Sequence, residues 1–229
     1  MIRVLAVDTS TRWGGVALVE RPSDEEAPRV VAEAGFLNPR THADSILDRI
    51  DWLLARAGWS KQGLDGFVST RGPGSFTGIR VSLGTVAGLG LAADRPCAGV
   101  GTLEALAEAG GPCTRERMAL IGAGRGEVYG QRFDGDSAPP EAREEPWVGP
   151  PEGASLEGDP RPVLAPGGEF AAEELARRVP GSLPPRQPRG LAGAAGRIVL
   201  LRGLDDGGGH AGIPPLYVRP PDAVVKKNT

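Results

Sequence analysis

The stretch Ile2-Arg-Val-Leu-Ala-Val-Asp-Thr-Ser-Thr-Arg-Trp-Gly-Gly-Val-Ala-Leu-Val19 sets the architecture. Ile2 to Val7 is a nearly continuous apolar run, the pattern of a central strand covered on both faces. Gly14-Gly15 then reads as a turn into a second strand, Val16 to Val19, and Arg29 to Phe36 supplies a third. The links between them are short, which predicts an antiparallel meander.

Downstream, residues 41–57 repeat Ile46, Leu47, Ile50, Leu53 and Leu54 at helical spacing and end on Gly58, a helix with a glycine stop. Strand 64–68, helix 77–93, strand 96–100 and helix 102–109 follow. A meander extended by parallel crossovers is the half-unit of the actin-like, ribonuclease-H-like α/β architecture. The second half opens like a copy, with strand 118–122, turn 123–126 and strand 127–133. Its later pieces are weaker: a short strand at 162–165 and helices at 169–179 and 191–201. Residues 134–190 are rich in Pro, Gly and Glu, which predicts a loopier region. The expected organisation is a regular first lobe over 1–102 and a reduced second lobe over 103–215, with the tail 216–229 packing back on the first.

The 229 residues carry a formal charge of -3 and a pI near 5.6, so no basic field advertises nucleic-acid binding. Any such role needs a partner to supply the charge. Cys97 and Cys113 match neither a disulfide framework nor a metal spacing, which points to a reducing compartment. The first strand begins with no leader before it, and no apolar run approaches membrane-spanning length. A cytoplasmic protein without a membrane partner is expected.

Two segments carry hydroxyls and glycines of the kind that hold phosphate. Asp8-Thr-Ser-Thr11 follows the first strand, where actin-like phosphotransferases place an aspartate and hydroxyls around phosphate and metal; the same residues also satisfy a turn's own amides. Arg71-Gly-Pro-Gly-Ser-Phe-Thr-Gly-Ile-Arg80 lacks the lysine of a phosphate loop and the flanking glycines of a nucleophile elbow. It reads as a strand-to-helix turn with Ser75 or Thr77 as helix cap. Its free N–H groups can hold an anion, with Arg71 or Arg80 adding charge. The anion or nucleotide candidates are thus Asp8, Ser10, Thr11, Gly74 and Ser75, as a vestigial site. His42 and His210 stand apart, without the pairing a metal needs, so no metal ligands and no catalytic residues are assigned. Helix 77–93 carries Gly78, Gly84, Gly88 and Gly90, each costing about 1 kcal/mol against alanine. Close packing has to offset that cost, either on the chain's own sheet or against a partner, with Trp52 and Trp59 as further anchors.

Val-Leu-Ala-Val-Asp-Thr-Ser-Thr (4–11), Arg-Gly-Pro-Gly-Ser-Phe-Thr-Gly-Ile-Arg (71–80), Gly-Val-Gly-Thr-Leu-Glu-Ala-Leu-Ala (99–107), Gly-Arg-Gly-Glu-Val-Tyr (124–129) and Pro-Leu-Tyr-Val-Arg-Pro-Pro (215–221) resemble the TsaB, or YeaZ, family. That resemblance implies an actin-like accessory subunit of tRNA threonylcarbamoyladenosine biosynthesis. It implies pairing with the catalytic paralogue TsaD or with a second copy as a homodimer, joined by the ATPase TsaE. It also implies contact with tRNA only through the complex, and no cofactor in this subunit, ATP and a metal belonging to the assembly. The His-x-x-x-His pair by which TsaD helps hold its metal is replaced here by Thr102 and Leu106. Family members often carry Asp-Ala-Arg where this chain has Gly122-Ala123-Gly124, which removes an acid and a base from the cleft. In the family the two helices corresponding to 42–57 and 77–93 form the partner interface, with Ile46, Ile50, Leu54, Val81 and Leu89 as the expected contacts. The alternative function is an active actin-like ATPase or phosphotransferase using Asp8 and the 72–78 loop. A third, peptidase reading lacks a histidine pair and an elbow.

Overall fold

The computed structural model describes residues 1–37, 44–154, 160–165, 175, 177–178, 190–204 and 212–219. Strands β1 (Ile2–Asp8), β2 (Trp13–Arg21) and β3 (Arg29–Leu37) form the antiparallel meander. Strands β4 (Gly66–Thr70) and β5 (Cys97–Val100) add in parallel, giving the order β3-β2-β1-β4-β5. The apolar run of β1 has its cause in that position. Leu5 and Val7, with Val16 and Leu18 of β2, pack under helices α1 (Asp44–Ala57) and α2 (Phe76–Ala93). Val4 and Ala6, with Ala17 and Val19, pack on the opposite face, against helices α3 (Thr102–Ala109) and α4 (Ala192–Arg202). Alternate residues of one strand therefore feed two cores.

The second sheet is smaller, in the order β8-β7-β6-β9, from β6 (Arg117–Gly124), β7 (Glu127–Phe133), β8 (Trp147–Gly149) and β9 (Arg161–Ala165). α3 packs on this sheet and on α4, and α4 packs across the strands of the first sheet. One continuous core thus runs from sheet to sheet through two helices. Close approach of α4 requires its small residues: a Cβ on Gly196 would lie 2.6 Å from Val19 Cγ2. Leu191 provides no side-chain cap for α4; instead Glu33 of β3 accepts a hydrogen bond from the Gly193 N–H at 3.0 Å.

The observed elements depart from the sequence reading in a few places. Gly14 and Gly15 lie inside β2, and Thr9–Arg12 makes the link. Gly14 is small because the Phe36 ring occupies its side-chain space, within 2.6 Å of a built Cβ. Strand β8, a short edge strand inside the proline-rich region, was not expected. The expected helix over 169–179 falls outside the described residues except for Leu175, Arg177 and Arg178, which are helical. α2 has 18 residues and a mean hydropathy of 1.3, long and apolar enough to cross a membrane by length and composition alone. That exceeds the sequence expectation, yet the helix is packed along β4 and β1 of the folded lobe.

Residues 212–219 form a strap between the lobes. Leu216 N–H donates to Arg71 O at 2.7 Å, Ile213 lies against Gly99, and Arg219 donates to Ala123 O and pairs with Glu127 at the β6–β7 turn.

Candidate functional site

Asp8 ends β1 and is fully buried. Its Oδ1 accepts from Ser10 N–H at 3.0 Å, Ser10 Oγ–H at 2.5 Å and Thr70 Oγ1–H at 2.6 Å, whereas Oδ2 is buried with no partner among the described residues. Burial pushes the carboxyl up from its ordinary value, against the pull of these donors. A carboxyl so placed favours the neutral form and ties the β1–β2 link to the end of β4.

The 72–78 loop closes on the same link. Ser75 caps α2 by accepting from Gly78 N–H at 3.2 Å, and Ser75 N–H donates to Ser10 O at 2.7 Å. Thr9 Oγ1–H donates to Gly78 O at 2.6 Å. The carbonyl oxygens of Ser10 and Thr9 fill the side-chain spaces of Gly74 and Gly78. Those glycines therefore admit the chain's own backbone where a phosphate would need to approach. Thr11 Oγ1–H donates to Trp13 O at 2.9 Å. The structure thus brings Asp8, Ser10, Gly74 and Ser75 together as one hydrogen-bonded closure. It does not offer a nucleotide phosphate or metal an open, anionic face there, and these residues do not fit such a group. Thr102 and Leu106 are buried in α3; Thr102 N–H donates to Gly72 O at 2.8 Å. No cluster of His, Cys, Asp and Glu capable of holding a metal occurs among the described residues, and His42 and His210 lie outside them.

The interface residues expected from sequence divide in two. Ile46, Ile50 and Leu54 are buried in the chain's own core under α1, while Val81 and Leu89 are half-buried beside it. The apolar stripe of α1 is consumed by its own sheet, so those three are not outward-facing. What α1 and α2 present outward is a different set: Leu47 (50% exposed), Trp52 (54%), Phe76 (40%) and Leu91 (76%). Arg80 lies over the Phe76 ring at 4.1 Å and Arg56 over Trp52 at 5.6 Å. The α2 glycines divide likewise. Gly78 and Gly90 are pressed against the Thr9 carbonyl and the Cys97 sulfur. Gly84 and Gly88, both exposed, face open space with nothing within 4 Å of a built Cβ. Of this set, Trp52 was expected from sequence as an anchor, whereas Leu47 was counted with the apolar repeat of α1 and Phe76 and Leu91 were not assigned; the unexplained glycines were the signal that pointed to this face.

A family model described as TsaD: tRNA N6-adenosine threonylcarbamoyltransferase matches residues 34–138. An uncharacterised protein of Mycobacterium tuberculosis is 32% identical over 221 residues, 96% of this chain and 93% of its own length. The tRNA threonylcarbamoyladenosine biosynthesis protein TsaB of Escherichia coli is 36% identical over 139 residues, 59% of this chain and 56% of that protein. Among solved structures, YeaZ from Pseudomonas aeruginosa superposes with a TM-score of 0.73 at 26% identity, over 95% of this chain and all of that one. The motifs at 4–11, 71–80 and 124–129 form the closure and the β6–β7 turn within a fold shared along nearly the whole chain, and the chain belongs to the TsaB/YeaZ family.

Proposed function

We propose that this chain serves tRNA threonylcarbamoyladenosine biosynthesis as a non-catalytic subunit, pairing through α1 and α2 with TsaD and assembling with TsaE. The observation that carries the reading is the outward face of α1 and α2. It holds exposed Leu47, Trp52, Phe76 and Leu91 on one side of the lobe, together with two glycines that the chain's own packing does not require. Glycines facing outward on a helix let another helix approach the backbone closely, and exposed aromatic side chains supply anchors. The fully buried Asp8, its Oδ1 held by three donors, supports the absence of phosphoryl chemistry in this subunit, since a phosphotransferase needs that carboxylate ionised and open to its metal.

Co-purification of the chain with TsaD of the same source, followed by tRNA modification with each subunit alone and together, tests the reading. Complex formation and modification only in the mixture are expected. Leu91→Glu should leave folding unchanged, because the side chain is 76% exposed, and weaken pairing at least tenfold. ATP turnover by the isolated chain that Asp8→Asn abolishes would instead establish the phosphotransferase.

A further inference from the structure

A cavity of about 360 Å³ opens between the lobes, away from the α1–α2 face. One wall carries Arg71, just beyond β4, and Glu104 of α3 with Arg202 of α4; the facing wall carries Gln131 of β7 and then Glu141 and Glu145. Half-buried Leu216 adds apolar surface, with Phe133 of the core behind the lining. The size lies within the range of small-molecule sites.

The charges in this cavity are unevenly satisfied. Arg202 is paired with Glu104 and is spoken for. Arg71 is held by its backbone, with its N–H on Val100 O at 2.9 Å and its carbonyl accepting from Leu216. Its guanidinium feels Glu104 at a distance but makes no hydrogen bond or ion pair with any described residue. The carboxylates of Glu141 and Glu145 likewise have no side-chain partner among the described residues. One wall therefore offers a free cation in a fork geometry suited to carboxylate, and the other offers two free anions suited to ammonium. A simple anion would meet a net negative pair of walls, and a simple cation would leave Arg71 unserved.

We propose that this cavity binds a small zwitterion of the free α-amino acid class, with its carboxylate on Arg71, its ammonium on Glu141 and Glu145, and its side chain toward Leu216. The site is separate from the partner face, so the proposal stands or falls independently of the pairing with TsaD.

The test is the thermal unfolding midpoint of the full chain titrated with each of the free L-amino acids, with acetate alone and methylammonium alone as controls. A ligand that binds only the folded state raises the midpoint with concentration. A concentration-dependent rise is expected with at least one amino acid and with neither control. The rise should vanish in Arg71→Gln and fall in the Glu141→Gln/Glu145→Gln double variant, whose substitutions lie on exposed side chains and leave the fold intact. Three outcomes overturn the proposal: no amino acid raises the midpoint, acetate matches the amino acids, or the double variant retains the full response. TsaD pairing measured on the same variants should be unchanged.

Discussion

At Asp8, one side chain ties the end of β1 and the adjoining link to the end of β4, 62 residues away. Because burial raises its carboxyl above the ordinary value of 3.8, the folded chain holds the proton more tightly than the unfolded chain. That contribution to stability is complete below 3.8 and is lost as pH rises through the folded value. Asp8→Asn keeps the shape and the acceptor without the ionisation. Its stability relative to wild type should therefore increase with pH across that window, as read from urea midpoints of both proteins at matched pH. Parallel pH curves for the two proteins would sink the assignment of a raised carboxyl. The sequence disclosed that Asp8-Thr-Ser-Thr11 ends a strand and carries hydroxyls, and it favoured the turn-capping reading over the phosphate-holding one without naming the distant partners. What separated them was the Thr70 hydroxyl, 62 residues away, and the carbonyls seated on Gly74 and Gly78. Contacts at that separation have no local periodicity to betray them.

Among the elements, α2 shows how far patterning reaches. Its existence, its start near Ser75 and its place after β4 follow from the glycine-rich turn and the apolar run. Which of its glycines serve the chain's own fold does not follow, because Gly78, Gly84, Gly88 and Gly90 look alike until neighbouring backbone is placed around them. The same limit applies to α1. Of its apolar repeat, Ile46, Ile50, Leu53 and Leu54 form the core, while Leu47, at the edge of the repeat, and Trp52 face outward. Gly84→Ala and Gly88→Ala should each stabilise the isolated chain by about 1 kcal/mol, since the added methyl meets open space and alanine is the better helix former. Both should weaken pairing with TsaD if its helix approaches the backbone there. Calorimetric stability and pull-down strength moving in opposite directions is the signature; pairing unchanged in both variants counts against a close helix contact at these two positions. Gly196→Val is the contrasting case, with Val19 already 2.6 Å from the new Cβ. It should cost about 1–3 kcal/mol, measured by chemical denaturation.

For the whole molecule, the strap matters as much as the sheets. It joins the Arg71–Gly72 turn to the β6–β7 turn through Leu216 and Arg219. Arg219→Ala should raise amide exchange at residues 121–128 while leaving α1 and α2 protected, as read by hydrogen-exchange mass spectrometry. The motif Pro-Leu-Tyr-Val-Arg-Pro-Pro was visible in sequence, but its two anchor points were not, since Glu127 and Arg71 lie in separate halves of the chain. α4 carries a further consequence, for biosynthesis. Residues 192–202 cover the face of the first sheet formed by Val4, Ala6, Ala17 and Val19. A ribosome making this chain exposes that apolar face long before it delivers the helix that shields it. The first hundred residues therefore emerge as a half-dressed sheet, in need of a chaperone or of rapid completion. Maturation of the first lobe thus waits on residues 192–202, and a chain cut before them should aggregate and not fold as a small working module.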